Sequence, residues 1–525
     1  MNIRIPNGFE KLGLENIGKV YYNLSYDELQ IHEVNKGECK LSSKGAGVYD
    51  TGLCKGRSPK DRYFVDQPPS NQHIAWGDTN QKISKDIFNR LLKFTKNEFS
   101  DKDIYIMDVF AGANKNSRKS IRFISETAYQ AHFVKNMFIS PNEQELDSFE
   151  PDLIIYSACK MKNRAWERYG LNSEVFICFN IEDNISIIGG TCYTGEIKGV
   201  VFTMMNYWLP LDGKLSMNCS ANIGKEGDVS LFFGLEGTGR TVLSTDLNRP
   251  LIGYDEHGWD DSGIFNLESG CYINVRYLQE GFEPEIFGAI KKNALLENVV
   301  IVDNSGLVDY EDFSKTTNIR TSYPMKHIIN HKQDLQAGHP KNIILLTYDA
   351  FGVLPIVSKL TNEQAVYYFL SGYFSNMVRS QNGEDFIYTL FSACYAEPFL
   401  PLSPTIYAKL FKEKIDKHNV NVYLMNIGLK AKGKRVTIQN IRTCVNAILN
   451  GTINSNEFDT MPIFNLQFPK TLEGVNSSIL NPRALCDSKE EFDKRVIDLA
   501  NKFIENFKRY DRIDEFDYSQ AGPQV

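Results

Sequence analysis

A chain of 525 residues with 42% apolar and 23% charged side chains carries enough apolar material for two globular domains. Its net charge of −7, with no basic tract, argues against a nucleic-acid partner. No apolar run reaches membrane-spanning length, and even 343–357 carries Asp349 and Gly352, so no membrane partner is expected.

The first residues, Met1 to Gly8, lack the apolar core of a secretory leader, and this predicts a cytoplasmic protein. The ten cysteines form no C-x-x-C pair, so they read as reduced thiols and not as a zinc or dithiol site. Apolar runs at 103–110, 152–156, 174–180 and 185–189 predict buried strands, and 126–138 has helical spacing. The segment Leu209-Pro-Leu-Asp-Gly213 predicts a turn and a boundary between domains at 1–212 and 213–525. Beyond it, 229–233, 342–347 and 420–425 predict further strands. The stretch 488–510 predicts an amphipathic helix with Phe492, Val496, Leu499, Phe503 and Phe507 on one face. Ser488 and Glu491 read as its capping box.

Between the strand at 229–233 and a short helix-like stretch at 242–245 lies Gly234-Leu-Glu-Gly237-Thr238-Gly239-Arg240-Thr241. It fits the phosphate-loop pattern G-x-x-x-x-G-K-[ST] with arginine in place of lysine. Gly234, Gly237, Thr238 and Gly239 would let backbone N–H groups close around phosphate oxygens, and the Thr241 hydroxyl would bind the magnesium of a nucleotide. Arg240 keeps the positive charge on a bulkier, planar fork, which is not a neutral exchange for lysine. A nucleotide with Mg2+ is the expected ligand of the loop.

Several segments, taken together and in order, resemble ATP-dependent phosphoenolpyruvate carboxykinase. They are Thr51-Gly-Leu-Cys-Lys-Gly-Arg57-Ser-Pro-Lys-Asp61, Gly190-Thr-Cys-Tyr193-Thr-Gly-Glu-Ile-Lys198 and Met204-Met-Asn-Tyr-Trp-Leu-Pro-Leu211. The phosphate loop, Gly253-Tyr-Asp-Glu-His-Gly-Trp259, Asp349-Ala-Phe-Gly-Val-Leu-Pro355 and Gly433-Lys-Arg435 complete the set. The resemblance implies a two-domain α/β fold with a phosphate-loop-containing C-terminal domain and an interdomain active-site cleft. It implies conversion of oxaloacetate and ATP into phosphoenolpyruvate, carbon dioxide and ADP, with magnesium on the nucleotide and a second ion, usually manganese. Both steps of that reaction develop negative charge, so the site needs cations in fixed positions.

Carried over position by position, the resemblance makes Arg57 the binder of a substrate carboxylate and places Tyr193 beside that pocket. Lys198 matches the first of a lysine pair, Arg320 the arginine spanning substrate and γ-phosphate, and Arg435 the arginine at the adenine side. Of the manganese ligands only Asp255 is kept: the second lysine is Gly199 and the histidine is Asn218. Glycine offers no ligand atom and a neutral amide is a poor substitute for imidazole, so tight Mn2+ binding is not expected. Tyr254 stands where the family has a second aspartate, and Glu236 puts an acid in the loop that is expected to point outward. His257 offers no compensating ligand by its spacing and reads as structural. Residues 379–395 depart from the family's lid.

Three readings follow. One is a diverged enzyme performing nucleotide-dependent phosphotransfer or decarboxylation on a small anionic carboxylate with magnesium alone. Another is a pseudoenzyme with a binding or regulatory role. In the third, other residues replace the missing ligands in an ordinary carboxykinase. None of them sets an oligomeric state.

Overall fold

Residues 5–302, 305–379, 385–428, 430–431, 434–510 and 517–525 are described by a computed structural model of the chain. The chain forms two units, and neither is a contiguous stretch. The first comprises Met1–Trp208, Phe265–Leu335 and Pro398–Leu402, the second Leu209–Ile264, Gln336–Glu397 and Ser403–Val525.

The first unit is built on a mixed eight-stranded sheet. Its spatial order is Val20–Tyr22, Ile104–Ala111, Lys119–Ser125, Leu153–Ala158, Ile185–Gly189, Phe176–Asn180, Arg62–Val65 and Gln81–Ile83. Ile104–Ala111 and Phe176–Asn180 are buried at every position, which is why they read as unbroken apolar runs without alternation. The expected helix at 126–138 runs Ala128–Met137 and is buried almost throughout.

The helix Gly195–Leu211 corrects the turn expected at 209–213. It runs through Pro210, and its C-terminal carbonyls at Leu209 and Pro210 accept from the backbone N–H groups of Lys214 and Gly213. Gly213, at φ +70°, supplies the left-handed residue that ends it. The proline lies in the last helical turn, so the expected turn is confined to Asp212 and Gly213.

A second, five-stranded sheet explains the interleaving. Gly47–Tyr49 pairs in parallel with Leu295–Glu297, which in turn pairs with Arg320–Pro324. This ladder draws 265–335 into the first unit, so each unit is discontinuous, while the first change of unit, between Trp208 and Leu209, falls at the start of the segment expected as the boundary. Local sequence signals cannot report a pairing that spans some 250 residues.

The second unit holds the sheet Leu215–Ile223, Val229–Phe233, Pro340–Thr347, Asn421–Asn426, Val357–Leu360, Leu466–Pro469 and Phe458–Met461, again in spatial order. Val229–Phe233, Pro340–Thr347 and Asn421–Asn426 run parallel and form its centre. The helix Lys489–Phe507 buries Phe492, Val496, Leu499, Phe503 and Phe507 as expected. Ser488 accepts from the Glu491 backbone at 3.2 Å and its hydroxyl donates to Glu490, while the reciprocal bond from the Ser488 backbone N–H to the Glu491 side chain is not made.

Tyr373–Arg379 and Asp385–Phe391 pair as a hairpin around the start of the segment expected to depart from the family's lid, while 380–384 and Gly433 lie outside the described residues. Among the described residues no helix is long and apolar enough to cross a membrane.

Candidate functional site

In the second unit, one strand organises the phosphate-loop region. Leu215–Ile223 pairs with Val229–Phe233 on one edge and with two short strands, Leu251–Gly253 and Glu256–Trp259, on the other. The registers Ala221↔Gly253 and Asn218↔Glu256 leave Tyr254 and Asp255 joining the short strands beside residues 218–220. Sequence-distant residues thereby meet within one small area.

The loop itself has the form a phosphate cradle requires. A Cβ on Gly234 would lie 2.3 Å from the Thr238 Oγ1, so only glycine fits there. Gly237 and Gly239 have φ of +91° and +65°, which glycine adopts without strain. The Thr238 hydroxyl donates to the Leu235 carbonyl at 2.7 Å and closes the turn. The helix that follows is Arg240–Ser244, two residues earlier than the stretch expected at 242–245. Thr241 is half-buried in its first turn, and Glu236 is exposed, in keeping with an outward-pointing acid. Behind the helix, the buried Tyr254 shares a 3.0 Å hydroxyl–hydroxyl bond with Thr245.

Arg240 is not extended along the loop. Its Nη1 donates to the Asn218 Oδ1 at 2.5 Å and to the Asn218 carbonyl at 3.4 Å, and its Nη2 donates to the Asp255 Oδ1 in an ion pair. The two side chains of the ion pair are only 15% and 16% exposed. Beneath them, burial pushes the Cys219 thiol pKa up. His257 is fully buried with its Nδ1 2.8 Å from the Cys219 carbonyl, a structural contact.

These contacts decide how the set fits manganese. Asp255 and Asn218, the two positions that the resemblance implies as metal ligands here, both offer an oxygen to the same guanidinium. The set does not fit the ion. Among the described residues no group of three His, Cys, Asp or Glu side chains could hold a metal.

The first unit contains Arg57, Tyr193, Lys198 and Arg320. Lys198 is buried on the helix Gly195–Leu211 and pairs with the buried Glu268 at 3.2 Å. Arg320 opens its strand and donates from Nε to the Asn318 Oδ1 at 2.8 Å. The Asn318 amide in turn donates to the Lys55 carbonyl at 2.7 Å and to the Tyr193 hydroxyl at 3.3 Å. One asparagine therefore ties Arg320 to Tyr193. Arg57 is exposed and lies over the Phe399 ring at 4.6 Å.

Behind these residues sit groups that sequence reasoning did not single out. Arg62 is fully buried between the Phe179 and Phe399 rings, and burial lowers its pKa to about 10. The buried Glu196 accepts from the Ser58 backbone at 2.6 Å and so anchors the Arg57 loop to the Lys198 helix. Glu297 accepts from the Thr194 and Tyr272 hydroxyls, each at 2.5 Å, and burial raises its pKa. Asn318 lies two residues before Arg320, a period-two spacing that places both on one side of extended chain. That spacing was the available signal.

Arg435 lies in the second unit, exposed, over the Tyr348 ring at 4.8 Å, with its Nε on the Ile427 carbonyl at 3.3 Å.

The sequence model of the phosphoenolpyruvate carboxykinase family matches residues 18–478. The phosphoenolpyruvate carboxykinase (ATP) of Sulfurimonas denitrificans is 57% identical over 521 residues, covering 98% of both chains. That of Campylobacter lari is 55% identical over 523 residues, covering 99% of this chain and 100% of the relative. That of Leptospira biflexa is 49% identical over 521 residues, covering 98% of each.

Proposed function

The chain belongs to the phosphoenolpyruvate carboxykinase family, and from that premise we propose that it binds ATP with Mg2+ and a small anionic carboxylate, with phosphotransfer or decarboxylation altered or weakened. Gly234, Gly237, Thr238 and Gly239 would cradle the phosphates, and Thr241 would offer its hydroxyl to the nucleotide's Mg2+. Arg435, over Tyr348, would lie at the adenine side. Arg57, Tyr193, Lys198 and Arg320 would hold the carboxylate, with oxaloacetate as the reference substrate. Bound magnesium supplies charge neutralisation on the phosphates.

The observation that carries this reading is Arg240 bonded to Asn218 and Asp255 while the loop around it keeps its glycine geometry. The glycine geometry of the loop supports phosphate binding, while the loop's cation is held by Asn218 and Asp255. Losing one preorganised charge-stabilising group slows an enzyme about 10²–10³-fold, and here several positions have changed together. Such losses do not add simply, so the direction is claimed and not a product. The free state of all ten cysteines accords with a reducing cytoplasm.

A second reading, a pseudoenzyme that binds ligands without turnover, is favoured by Gly199 and by the pairing of Asp255. Thermal denaturation with ATP and Mg2+ tests binding first. At a hundredfold excess over Kd, binding stabilises by about 2.7 kcal/mol, a rise of roughly 5–10 °C for units of this size. Absence of any shift with ATP, ADP or GTP rules out the nucleotide site. A coupled assay for phosphoenolpyruvate formation then separates the readings. Weak turnover with magnesium supports the diverged enzyme, none supports the pseudoenzyme, and full turnover requiring manganese overturns both.

A further inference from the structure

We infer that Arg240 is a resident cation standing in for the divalent ion at Asp255 and Asn218, so that this position works without metal. The inference rests on the proposed nucleotide and carboxylate site, and its test is chosen so that either can fail alone. The geometry is specific. A guanidinium carries nitrogens at both tips of a rigid plane and can bridge two acceptors that a single ammonium cannot meet in the same way. Here the two tips take two different side chains, Nη1 the Asn218 Oδ1 and Nη2 the Asp255 Oδ1.

The residue types match that role at both ends. Asn218 presents an amide oxygen, an acceptor that an arginine N–H can use. An imidazole at that position would keep a nitrogen suited to a metal and not to a second cation. Asp255 contributes the single negative charge that one guanidinium neutralises, whereas a divalent ion would leave charge in excess. The arginine, the asparagine and the retained aspartate thus form one arrangement.

The fork is not used up by these partners. Arg240 has five N–H donors, and the Nε–H makes no hydrogen bond with any described residue. With its side chain 15% exposed, it can donate to an oxyanion that the family would bring to the metal.

The test is direct titration of the full-length chain with MnCl2 in the absence of nucleotide, reading the electron paramagnetic resonance signal of free Mn2+. The wild type is expected to remove none. Arg240→Lys combined with Asn218→His, folded by circular dichroism, is expected to bind Mn2+. If that variant fails to fold, Arg240→Lys alone is titrated, with weaker Mn2+ binding expected. Wild-type Mn2+ binding that is lost in Asp255→Asn overturns the inference. So does a folded variant that binds no Mn2+. Failure of ATP with Mg2+ to stabilise the protein would sink the proposed function and leave this titration unaffected.

Discussion

Replacing Arg240 by methionine and Asp255 by asparagine, singly and together, measures the central interaction directly. Exposed ion pairs contribute about 0–1 kcal/mol, while removing one partner of a fully buried pair costs about 3–5 kcal/mol. At 15% and 16% exposure this pair lies nearer the buried limit, with one charge-assisted bond between its members. A hydrogen bond to a charged group is worth about 1.5–3 kcal/mol, so a coupling energy of about 2 kcal/mol is expected. The assay is urea unfolding of the four full-length proteins, following the transition that reports on the second unit. Two units need not unfold as one step, so transition midpoints for that unit are compared, not a global free energy. Independent sites add to within about 0.5 kcal/mol. A coupling inside that scatter would mean that Arg240 and Asp255 do not act together, and Arg240 would then not be the cation that serves Asp255.

Asn318→Ala should weaken binding of phosphoenolpyruvate about tenfold, the loss of roughly one charge-assisted bond, because Arg320 and Tyr193 lose their shared anchor. Calorimetry giving an unchanged Kd would show that Asn318 positions neither residue. Gly199→Ala gains up to about 1 kcal/mol of helix propensity, but the new methyl lies 3.2 Å from the Phe399 ring. Overpacking costs about 1–3 kcal/mol, so the variant is expected to be less stable, with Phe399→Leu restoring the loss; a more stable Gly199→Ala refutes the crowding. Glu28 and Glu145 have pKa values below the ordinary 4.5, chiefly through the backbone N–H groups of Ser25 and Asn142 that they cap. Depressed carboxylates stabilise the fold above the unfolded pKa and lose that contribution as pH falls through the folded one. Glu28→Gln with Glu145→Gln should therefore flatten the acid decline in melting temperature below pH ~4.5, and an unchanged decline would assign it elsewhere.

Much of this structure was legible as periodicity. Ile104–Ala111 and Lys489–Phe507 are long and strongly patterned, and burial follows the pattern directly. The turn expected over Leu209–Gly213 is shorter, Asp212–Gly213, because Pro210 sits in the last turn of a helix, where it resembles a turn. The phosphate loop was readable from its glycines, since their spacing is a backbone requirement. The bond from Arg240 to Asn218 was not, because 22 residues and a strand register separate them. Asn218 and Arg240 read separately as two losses. Their contact makes them one arrangement.

The pairing of Gly47–Tyr49 with Leu295–Glu297 bears on how the chain is made. As the polypeptide leaves the ribosome, the first unit cannot close its five-stranded ladder until residues up to 324 have emerged. Synthesis proceeds at about 5–20 residues per second, so the wait after residue 208 is on the order of ten seconds. During that interval the edge at Gly47–Tyr49, buried in the finished protein, is open to other chains. Yield in a cell should therefore depend on chaperone capacity and translation speed, and a polypeptide stopped near residue 212 should aggregate instead of folding.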